Sequence, residues 1–283
     1  MTASTVPKRW LITGVSSGFG LELAMAALDR GDTVVGTLRQ AAQAATFEKL
    51  APGRSHAVIL DVTKGADIAP AVQQAVERAG RIDVLVNNAG YGLFGAVEET
   101  SEAEARQVME TNFFGALAVT RALLPQLREQ RSGHIFNIAS VAGVIGFPGC
   151  GLYAASKFAL EGMSEALAGE LAPFNVRVTI VEPGGFRTNF AGGSMRQTQL
   201  VLEAYAGTTA AKVRENVARH HGKQPGDPAK AAQAILTVLD SPQPPLRLAL
   251  GADAVQMVRG KHEGVLKLLA EWESLSASTA VQS

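Results

Sequence analysis

The residues best suited to chemistry lie between Ser140 and Lys157. Tyr153 and Lys157 are four residues apart at the start of a helical pattern, so their side chains share one helix face, one turn apart. A phenol has a reference pKa of about 10, and a neighbouring ammonium group is expected to lower that pKa toward the range of a useful base. Ser140 follows the apolar run 134–139, which predicts a buried strand. Together the three side chains predict a proton-transfer site for an alcohol or a carbonyl, although a tyrosine and a lysine at this spacing also occur in ordinary helices.

The composition favours a soluble protein and argues against several classes of function. The chain has 283 residues, of which 47% are hydrophobic and 18% are charged, and its formal net charge is zero. Without a basic run we expect no nucleic-acid partner, and without a long apolar run we expect no membrane span. The first ten residues lack the apolar segment of a secretory signal, and Cys150 is the single cysteine. We therefore expect a cytoplasmic protein without a disulfide or a cysteine-rich metal site.

A glycine-rich turn near the start of the chain predicts a dinucleotide site. The apolar run 10–13 leads into Gly14-Val-Ser-Ser-Gly18-Phe-Gly20, and a helical pattern follows it. This layout of strand, glycine turn and helix lets the backbone approach a pyrophosphate, which faces the amides of the helix N-terminus. The spacing differs from the common Gly-x-Gly-x-x-Gly, and no Gly-Lys-Ser/Thr follows, which excludes a P-loop. A tight turn also needs glycine for its own sake.

The end of the second predicted strand bears on the choice of cofactor. An NAD site usually places a carboxylate there to bind the ribose 2′-hydroxyl, whereas an arginine suits the 2′-phosphate of NADP. This chain has Thr37 and Arg39 and no carboxylate in that region, which favours NADP(H), with NAD(H) as the alternative. The competing interpretation is that Arg39 is an ordinary surface arginine.

Strands and helices alternate along most of the chain and predict a doubly wound parallel sheet of seven strands with helices on both faces, in one domain covering residues 1–283. Ligands in such sheets bind at the carboxyl ends of the strands. The polar or turn-forming residues that we place at those ends are Gly14, Arg39, Asp61, Asn88, Ser140 and Pro183.

Three further segments carry their own expectations. Ser101 to Arg131 has the pattern of one long helix that contains Asn112, whose amide either bonds a backbone group or holds a water for a proton path. The looser stretch from about residue 189 to 226 predicts a mobile lid over the substrate. The pattern at about 252–273 predicts a helical C-terminal extension, with fraying from Ser274 to Ser283. The adjacent His220 and His221 face different ways on a helix, so we expect no metal site.

Taken together, these motifs resemble those of the short-chain dehydrogenase/reductase superfamily, in its compact single-domain branch. The resemblance covers roughly residues 7 to 250, and the segment after strand two and the C-terminal helix are similar to steroid- and retinol-dehydrogenase-like members. The motifs occur in the family's order: Thr13-Gly-x-x-x-Gly-x-Gly20, Asp61, Asn87-Asn-Ala-Gly90, Asn112, Ser140, Tyr153-x-x-x-Lys157, and Pro183-Gly184 with Thr188.

The resemblance implies a role for each of these residues. Tyr153 would be the acid/base, Lys157 would lower its pKa and bind the nicotinamide ribose, Ser140 would position the substrate oxygen, and Asn112 would hold a water. The implied cofactor-binding residues are Gly14, Ser16, Ser17, Gly18, Phe19, Gly20, Thr37, Arg39, Asp61, Val62, Asn88, Ala89, Gly90, Tyr153, Lys157, Pro183, Gly184, Phe186 and Thr188.

The resulting expectation is an oxidoreductase that transfers a hydride between NADP(H) and a carbonyl or secondary alcohol. A small, apolar substrate is suggested by Leu93, Val144, Phe147, Phe190 and Met195, although core packing explains such residues equally well. The resemblance also implies a homodimer or homotetramer that pairs through the helix of Tyr153 and the long helix before it. Two alternatives are a protein that senses a dinucleotide without chemistry and a sugar-nucleotide epimerase or dehydratase, for which the chain has little room.

Overall fold

Seven parallel strands form the centre of the molecule. The structure is a computed structural model that describes residues 6–188, 194–219 and 222–281. The strands of the large sheet follow the order β3-β2-β1-β4-β6-β7-β9, and every neighbouring pair is parallel. They are β1 (Arg9–Ile12), β2 (Thr33–Leu38), β3 (Ser55–Ile59), β4 (Val84–Asn87), β6 (Gly133–Ile138), β7 (Val176–Pro183) and β9 (Arg247–Leu250). The strand order reverses between β1 and β4, which is where a ligand crevice opens in sheets of this kind.

Helices cover both faces of the sheet and make three layers. Helices α1 (Gly18–Asp29) and α8 (Pro228–Asp240) pack on one face, where Leu23 and Ile235 join a buried cluster with Trp10. Helices α3 (Gly65–Ala79), α5 (Gly115–Gln130) and α6 (Gly151–Leu171) cover the other face, where a second cluster contains Val119 and Leu167. The other α-helices among the described residues are α2 (Ala44–Glu48), α4 (Glu102–Met109), α7 (Thr209–Arg219) and α9 (Ala252–Ala277). The predicted seven-stranded, doubly wound parallel sheet is thereby confirmed.

The single long helix predicted over 101–131 is wrong in one respect. Ser101 caps its start through a capping box with Glu104, but a π-helical turn at Glu110–Phe114 separates α4 from α5. The Asn112 side chain in this turn bonds the Tyr91 backbone and the Ser156 hydroxyl, and those bonds hold the turn in a geometry that helical periodicity does not encode.

A second, two-stranded sheet also went unpredicted. Strand β5 (Gly92–Phe94) pairs in parallel with β8 (Met195–Gln197), which brings the segment after residue 193 beside the start of α6. Three-residue strands are too short to show a period of two. The carboxylate of Glu99 accepts a bond from the Leu202 amide and forms a buried ion pair with Arg214 at 3.1 Å, so the second half of the expected lid is bound to the domain. Its mobility stays a prediction, and Phe190, His220 and His221 lie outside the described residues.

The C-terminal extension is longer than expected. Helix α9 runs to Ala277, so the prediction that the chain frays from Ser274 is wrong for its first residues. Among the residues that the structure describes, no helix is both long and apolar enough to cross a bilayer.

Candidate active site

The glycine turn between β1 and α1 is a cradle that larger residues would fill. Gly14 and Gly18 have φ values of +74° and +62°, a region that glycine adopts without strain. A Cβ on Gly20 would lie 2.3 Å from the Gly14 carbonyl oxygen and 2.5 Å from Asn88 Nδ2. All three glycines are therefore required by the path of the backbone.

The N-terminus of α1 opens onto this cradle with its amides available to an anion. Ser17 is the N-cap residue, but its side chain makes no capping hydrogen bond, and the first turn contains no acidic residue. The neighbouring Ser16 is exposed. Free N–H groups and the positive end of the helix dipole favour a phosphate at such a position. The cradle therefore fits the pyrophosphate of a dinucleotide.

Of the cofactor-binding residues predicted at the ends of β2 and β3, some are buried within the fold and one is exposed. Thr37 is buried, and its hydroxyl accepts a hydrogen bond from the Gly14 amide at 3.1 Å, so it supports the turn from behind. Arg39 is exposed, and its positive charge acts on Asp61. Partial burial tends to raise the pKa of Asp61, but hydrogen bonds from Thr63 and the charge of Arg39 outweigh it and leave the pKa lowered. Val62 is buried, packed where a Cβ on Gly115 would reach it.

The segment after β4 is joined to the glycine turn by side-chain bonds. Asn88 Nδ2 donates to the carbonyl oxygens of Thr13 and Gly14, both at 2.9 Å. The amides of Asn88 and Ala89 donate to the Thr13 hydroxyl. Gly90 lies against Lys157, since a Cβ there would be 3.6 Å from the lysine Nζ. The segment thus connects the cofactor cradle with the predicted catalytic helix.

The loop after β7 returns to the same edge of the sheet. Pro183 ends the strand, and Gly184 packs where a Cβ would overlap the Asp253 carboxylate. Phe186 contacts the ring of Phe19 edge to face, with 5.0 Å between centroids. The Thr188 side chain faces Gly18, because a Cβ on that glycine would lie 3.6 Å from Thr188 Cβ. Residues far apart in the sequence therefore meet at the carboxyl ends of the strands, where a groove for a ligand is expected.

Ser140 and Tyr153 meet beside this groove. Ser140 follows β6, and its hydroxyl accepts a hydrogen bond from the Ala142 amide at 3.0 Å. The same side chain hydrogen bonds to the Tyr153 phenol. Tyr153 lies in the first turn of α6, 7% exposed, with its ring stacked on Phe94 at 6.3 Å. The predicted pairing of a strand-end serine with the helical tyrosine is present.

The pKa of Tyr153 moves in the direction opposite to the one predicted. Burial raises it to about 12, and the hydrogen bond from Ser140 only partly opposes this. Lys157 exerts little influence because its ammonium is directed elsewhere: Nζ donates to the Ile138 carbonyl oxygen at 2.7 Å and lies 6.0 Å from the Tyr153 ring centroid. In this arrangement the phenol retains its proton at neutral pH and is suited to act as an acid.

Lys157 is itself shifted and has a carboxylate one turn further along α6. Burial lowers the pKa of Lys157 to about 8, while the charge of Glu161 acts to raise it. Burial raises the pKa of Glu161 to about 7, although its Oε2 accepts from Arg247 at 2.6 Å. Glu161 was not predicted as a site residue, although Tyr153, Lys157 and Glu161 repeat every four residues on one helix face.

The Asn112 side chain has a structural role. Its Oδ1 accepts from the Tyr91 amide at 3.0 Å, and its Nδ2 donates to the Tyr91 carbonyl and to Ser156 Oγ, each at 2.9 Å. Ser156 in turn donates to the Tyr153 carbonyl at 2.7 Å. The amide thus fixes the π turn to the helix of Tyr153, as the first of the two sequence interpretations required. The role of Asn112 in holding a water stays a prediction.

An apolar cluster surrounds the Tyr153 ring. It is formed by β5, the start of α6 and the residues before α6, with Met195 of β8 packed on its edge. The thiol of Cys150 belongs to this cluster, and burial raises its pKa to about 11, which does not suit a nucleophile. Of the predicted apolar residues, Leu93, Phe147 and Met195 join the cluster, and Val144 is buried nearby. Within the described residues no three histidine, cysteine or acidic side chains are grouped as metal ligands.

Comparison with known proteins agrees with this geometry. Residues 8–199 match the family model described as short chain dehydrogenase. The chain is 42% identical over 275 residues to Oxidoreductase BOA17 of Botryotinia fuckeliana, covering 96% of this chain and 99% of that protein. It is 38% identical over 246 residues to a 3-ketodihydrosphingosine reductase of Bacteroides thetaiotaomicron, covering 87% and 88% of the two chains.

Solved structures show the same fold. A short-chain dehydrogenase from Streptomyces avermitilis is 46% identical with a TM-score of 0.90, and the match covers 98% of this chain and 100% of that one. Two more distant structures, from Burkholderia phymatum with NAD and Burkholderia cenocepacia with NADP, are 25% and 26% identical with TM-scores of 0.81 and 0.70. Each match covers 94% of this chain and 97% of the other. The sheet, the glycine turn and these matches together establish that the chain belongs to the short-chain dehydrogenase family of oxidoreductases.

Proposed function

We propose that this protein reduces a carbonyl on an apolar substrate, or oxidises the corresponding secondary alcohol, with NADP(H) as the hydride carrier and Tyr153 as the acid/base. One observation carries the proposal. The hydrogen-bonded hydroxyls of Ser140 and Tyr153 and the ammonium of Lys157 lie at the sheet edge that also bears the glycine cradle. Such a site holds a proton donor and a charge beside a place for a dinucleotide.

In the reduction, each residue has a separate task. When bound, the nicotinamide supplies the hydride that adds to the carbonyl carbon. Tyr153 holds a proton at neutral pH, and it transfers this proton to the carbonyl oxygen, which becomes the alcohol hydroxyl. Ser140 donates a hydrogen bond to the same oxygen as negative charge develops on it. Lys157 keeps a positive charge in the buried site, and its ammonium would bind the nicotinamide ribose.

The substrate proposed is a ketone or alcohol on an apolar body. Support comes from the cluster of Tyr91, Leu93, Phe94 and Phe147 around the reacting phenol and from the long-chain ketone named for the Bacteroides relative. Burial of apolar substrate surface against these side chains would give the binding free energy. A panel of short, aromatic and long-chain ketones and alcohols, followed by nicotinamide absorbance, tests this. Dinucleotide binding without turnover of any compound would instead support the sensing alternative.

The preference for NADPH is proposed to depend on Arg39. Its side chain is exposed at the end of β2, where an NAD site carries a carboxylate. We expect Arg39→Ala to weaken NADPH binding by roughly 10- to 100-fold, the size of one charge-assisted contact to a phosphate, with little change for NADH. Fluorescence titration with both cofactors measures it, and Arg128→Ala, another arginine at the remote end of α5, is the control. Tighter binding of NADH by the unaltered protein would contradict the assignment.

A pH profile tests the charge on Lys157. The pKa of about 8 means that the ammonium is fully present below that pH and is lost above it. We therefore expect kcat/KM for reduction to fall as the pH rises through about 8, since kcat/KM reports groups of the free enzyme. Glu161→Gln removes the charge that raises this pKa, so the alkaline limb should move to lower pH.

Glu165→Gln is the matched control for that experiment. Glu165 also binds Arg247, at 2.8 Å, but it is half exposed and lies a turn further from Lys157. Its profile should coincide with that of the unaltered protein. A Glu161→Gln profile that superposes on both would exclude this electrostatic coupling.

We further propose a homodimer or homotetramer that pairs through α5 and α6. Phe114, just before α5, and Phe158 on α6 are 46% and 44% exposed, so each of the two helices presents a large aromatic side chain that a partner would cover. Sedimentation of the purified protein measures the assembly.

A further inference from the structure

Beyond this function, the C-terminal helix α9 carries an apolar face that none of the described residues covers. Every residue from Arg259 to Ala277 is exposed, so this part of the helix extends away from the domain. At 1.5 Å per residue it extends for roughly 28 Å. Six large apolar side chains on it are between 46% and 64% exposed: Val265, Leu266, Leu268, Leu269, Trp272 and Leu275.

These side chains fall on one side of the helix. Val265, Leu269 and Trp272 are four and three residues apart, which is the spacing of the residues along which two helices pair, here called the seam. Leu268 and Leu275 lie on one side of the seam, and Leu266 lies on the other. Glu263, Lys267 and Glu271 lie four residues apart on the opposite side of the helix. Lys267 Nζ is 3.9 Å from Glu271 Oε1. The helix is thus amphipathic, and its apolar side contacts nothing in the described chain.

A lone helix of this kind is poorly stable in water, because helices in proteins are stabilised mainly by packing of their apolar face. Gly260 and Gly264 weaken it further, since both occupy open space in its interior. The six exposed fractions leave on the order of 600 Å² of apolar side-chain surface, which approaches the roughly 800 Å² that each partner buries in a stable interface. We therefore expect the apolar face of α9 to be covered by a second surface, which is called its occupant below.

We propose that the occupant is α9 of a second copy of this chain, paired in the antiparallel direction. The charges favour it: the first half of the exposed helix has Arg259, Lys261 and Lys267 against Glu263, whereas the second half has Glu271 and Glu273. Antiparallel pairing places the basic half of each helix beside the acidic half of the other. A membrane surface is disfavoured, since interfacial helices carry a basic polar face and Ala252–Ala277 has three basic and four acidic residues.

The seven-residue pattern also fixes the register. Pairing centred on Lys267 places Val265 of one copy against Leu269 of the other and Trp272 against His262. In that register Arg259 and Glu273 flank the seam and face each other across it. Leu266 and Leu268, next to the two-fold axis, each approach their own counterpart.

Sedimentation of the full-length chain tests the interface with adjacent variants. Leu269→Glu puts a charge into the seam and should halve the mass of the assembly at micromolar concentration, whether or not a further interface through α6 exists. Ala270→Glu adds the same charge on the polar side and should leave the mass unchanged. Circular dichroism and turnover check that both variants remain folded. An unchanged mass for Leu269→Glu would overturn the proposal.

Two further measurements address the direction of pairing and the rival occupant. Arg259→Glu should raise the dissociation constant at least about threefold, and the double variant Arg259→Glu/Glu273→Arg should restore it. With a short bismaleimide, Leu268→Cys should cross-link to its counterpart and Leu275→Cys should not; the reverse result would contradict antiparallel pairing.

Vesicles of phosphatidylcholine test the rival occupant. If they bind the unaltered protein and not Leu269→Glu, while the two proteins have equal mass in sedimentation, a lipid surface is the occupant and the proposal fails.

Discussion

Replacing Tyr153 with phenylalanine should lower kcat by about 10²- to 10⁴-fold, the range that a positioned proton donor contributes. Phenylalanine keeps the ring that stacks on Phe94 and loses only the hydroxyl that bonds Ser140. The glycine cradle is formed by other residues, so the dissociation constant of the cofactor should stay within about twofold, below 0.5 kcal/mol. Steady-state kinetics and fluorescence titration of the cofactor measure the two quantities separately.

The control for this variant is Tyr205→Phe. Tyr205 is a surface residue, and its hydroxyl donates to Glu98 at 2.9 Å. Removing that hydroxyl should leave kcat within about twofold, because exposed polar contacts contribute little. Full turnover by Tyr153→Phe would remove the proposed mechanism, and loss of cofactor binding would show that the hydroxyl supports the cradle instead.

Gly20→Ala should weaken cofactor binding by at least about 100-fold, which corresponds to about 3 kcal/mol. The added methyl group would lie 2.3 Å from the Gly14 carbonyl oxygen and 2.5 Å from the Asn88 amide. Both of those groups belong to the hydrogen-bonded turn, so the turn itself must move. Fluorescence titration with NADPH gives the affinity, and thermal unfolding shows whether the domain remains folded.

Two other glycines provide graded controls for that result. Gly169, exposed on α6, has open space around its Cβ position, so Gly169→Ala should stabilise the protein by about 0.5–1 kcal/mol without changing affinity. At Gly18 the methyl group would be 3.6 Å from Thr188, and the strain of φ +62° is the main cost, so Gly18→Ala should weaken binding less than Gly20→Ala. Equal effects at Gly18 and Gly20 would contradict the steric explanation.

Local patterns were sufficient for most of the fold. Apolar runs with glycine turns predicted the strands of the large sheet. Asp227 before Pro228 is a common sequence pattern at a helix start, and Asp227 caps α8. The patterns failed where a distant group decides local structure. The π turn at Asn112 depends on hydrogen bonds to Tyr91 and Ser156. The three-residue strands β5 and β8 form because they pair with each other.

The sequence by itself determined the parallel sheet, the edge at which Gly14 and Ser140 lie, and the shared helix face of Tyr153 and Lys157, because each follows from spacing along the chain. Only the tertiary structure decided what those groups can do. In the folded chain the Lys157 ammonium donates to the Ile138 carbonyl oxygen, and burial of Tyr153 raises its pKa. Thr37 lies behind the glycine turn, where its hydroxyl accepts a hydrogen bond from the Gly14 amide. The physical reason is that burial and hydrogen bonding depend on residues contributed by other strands and helices, and these effects set protonation more strongly than sequence neighbours do.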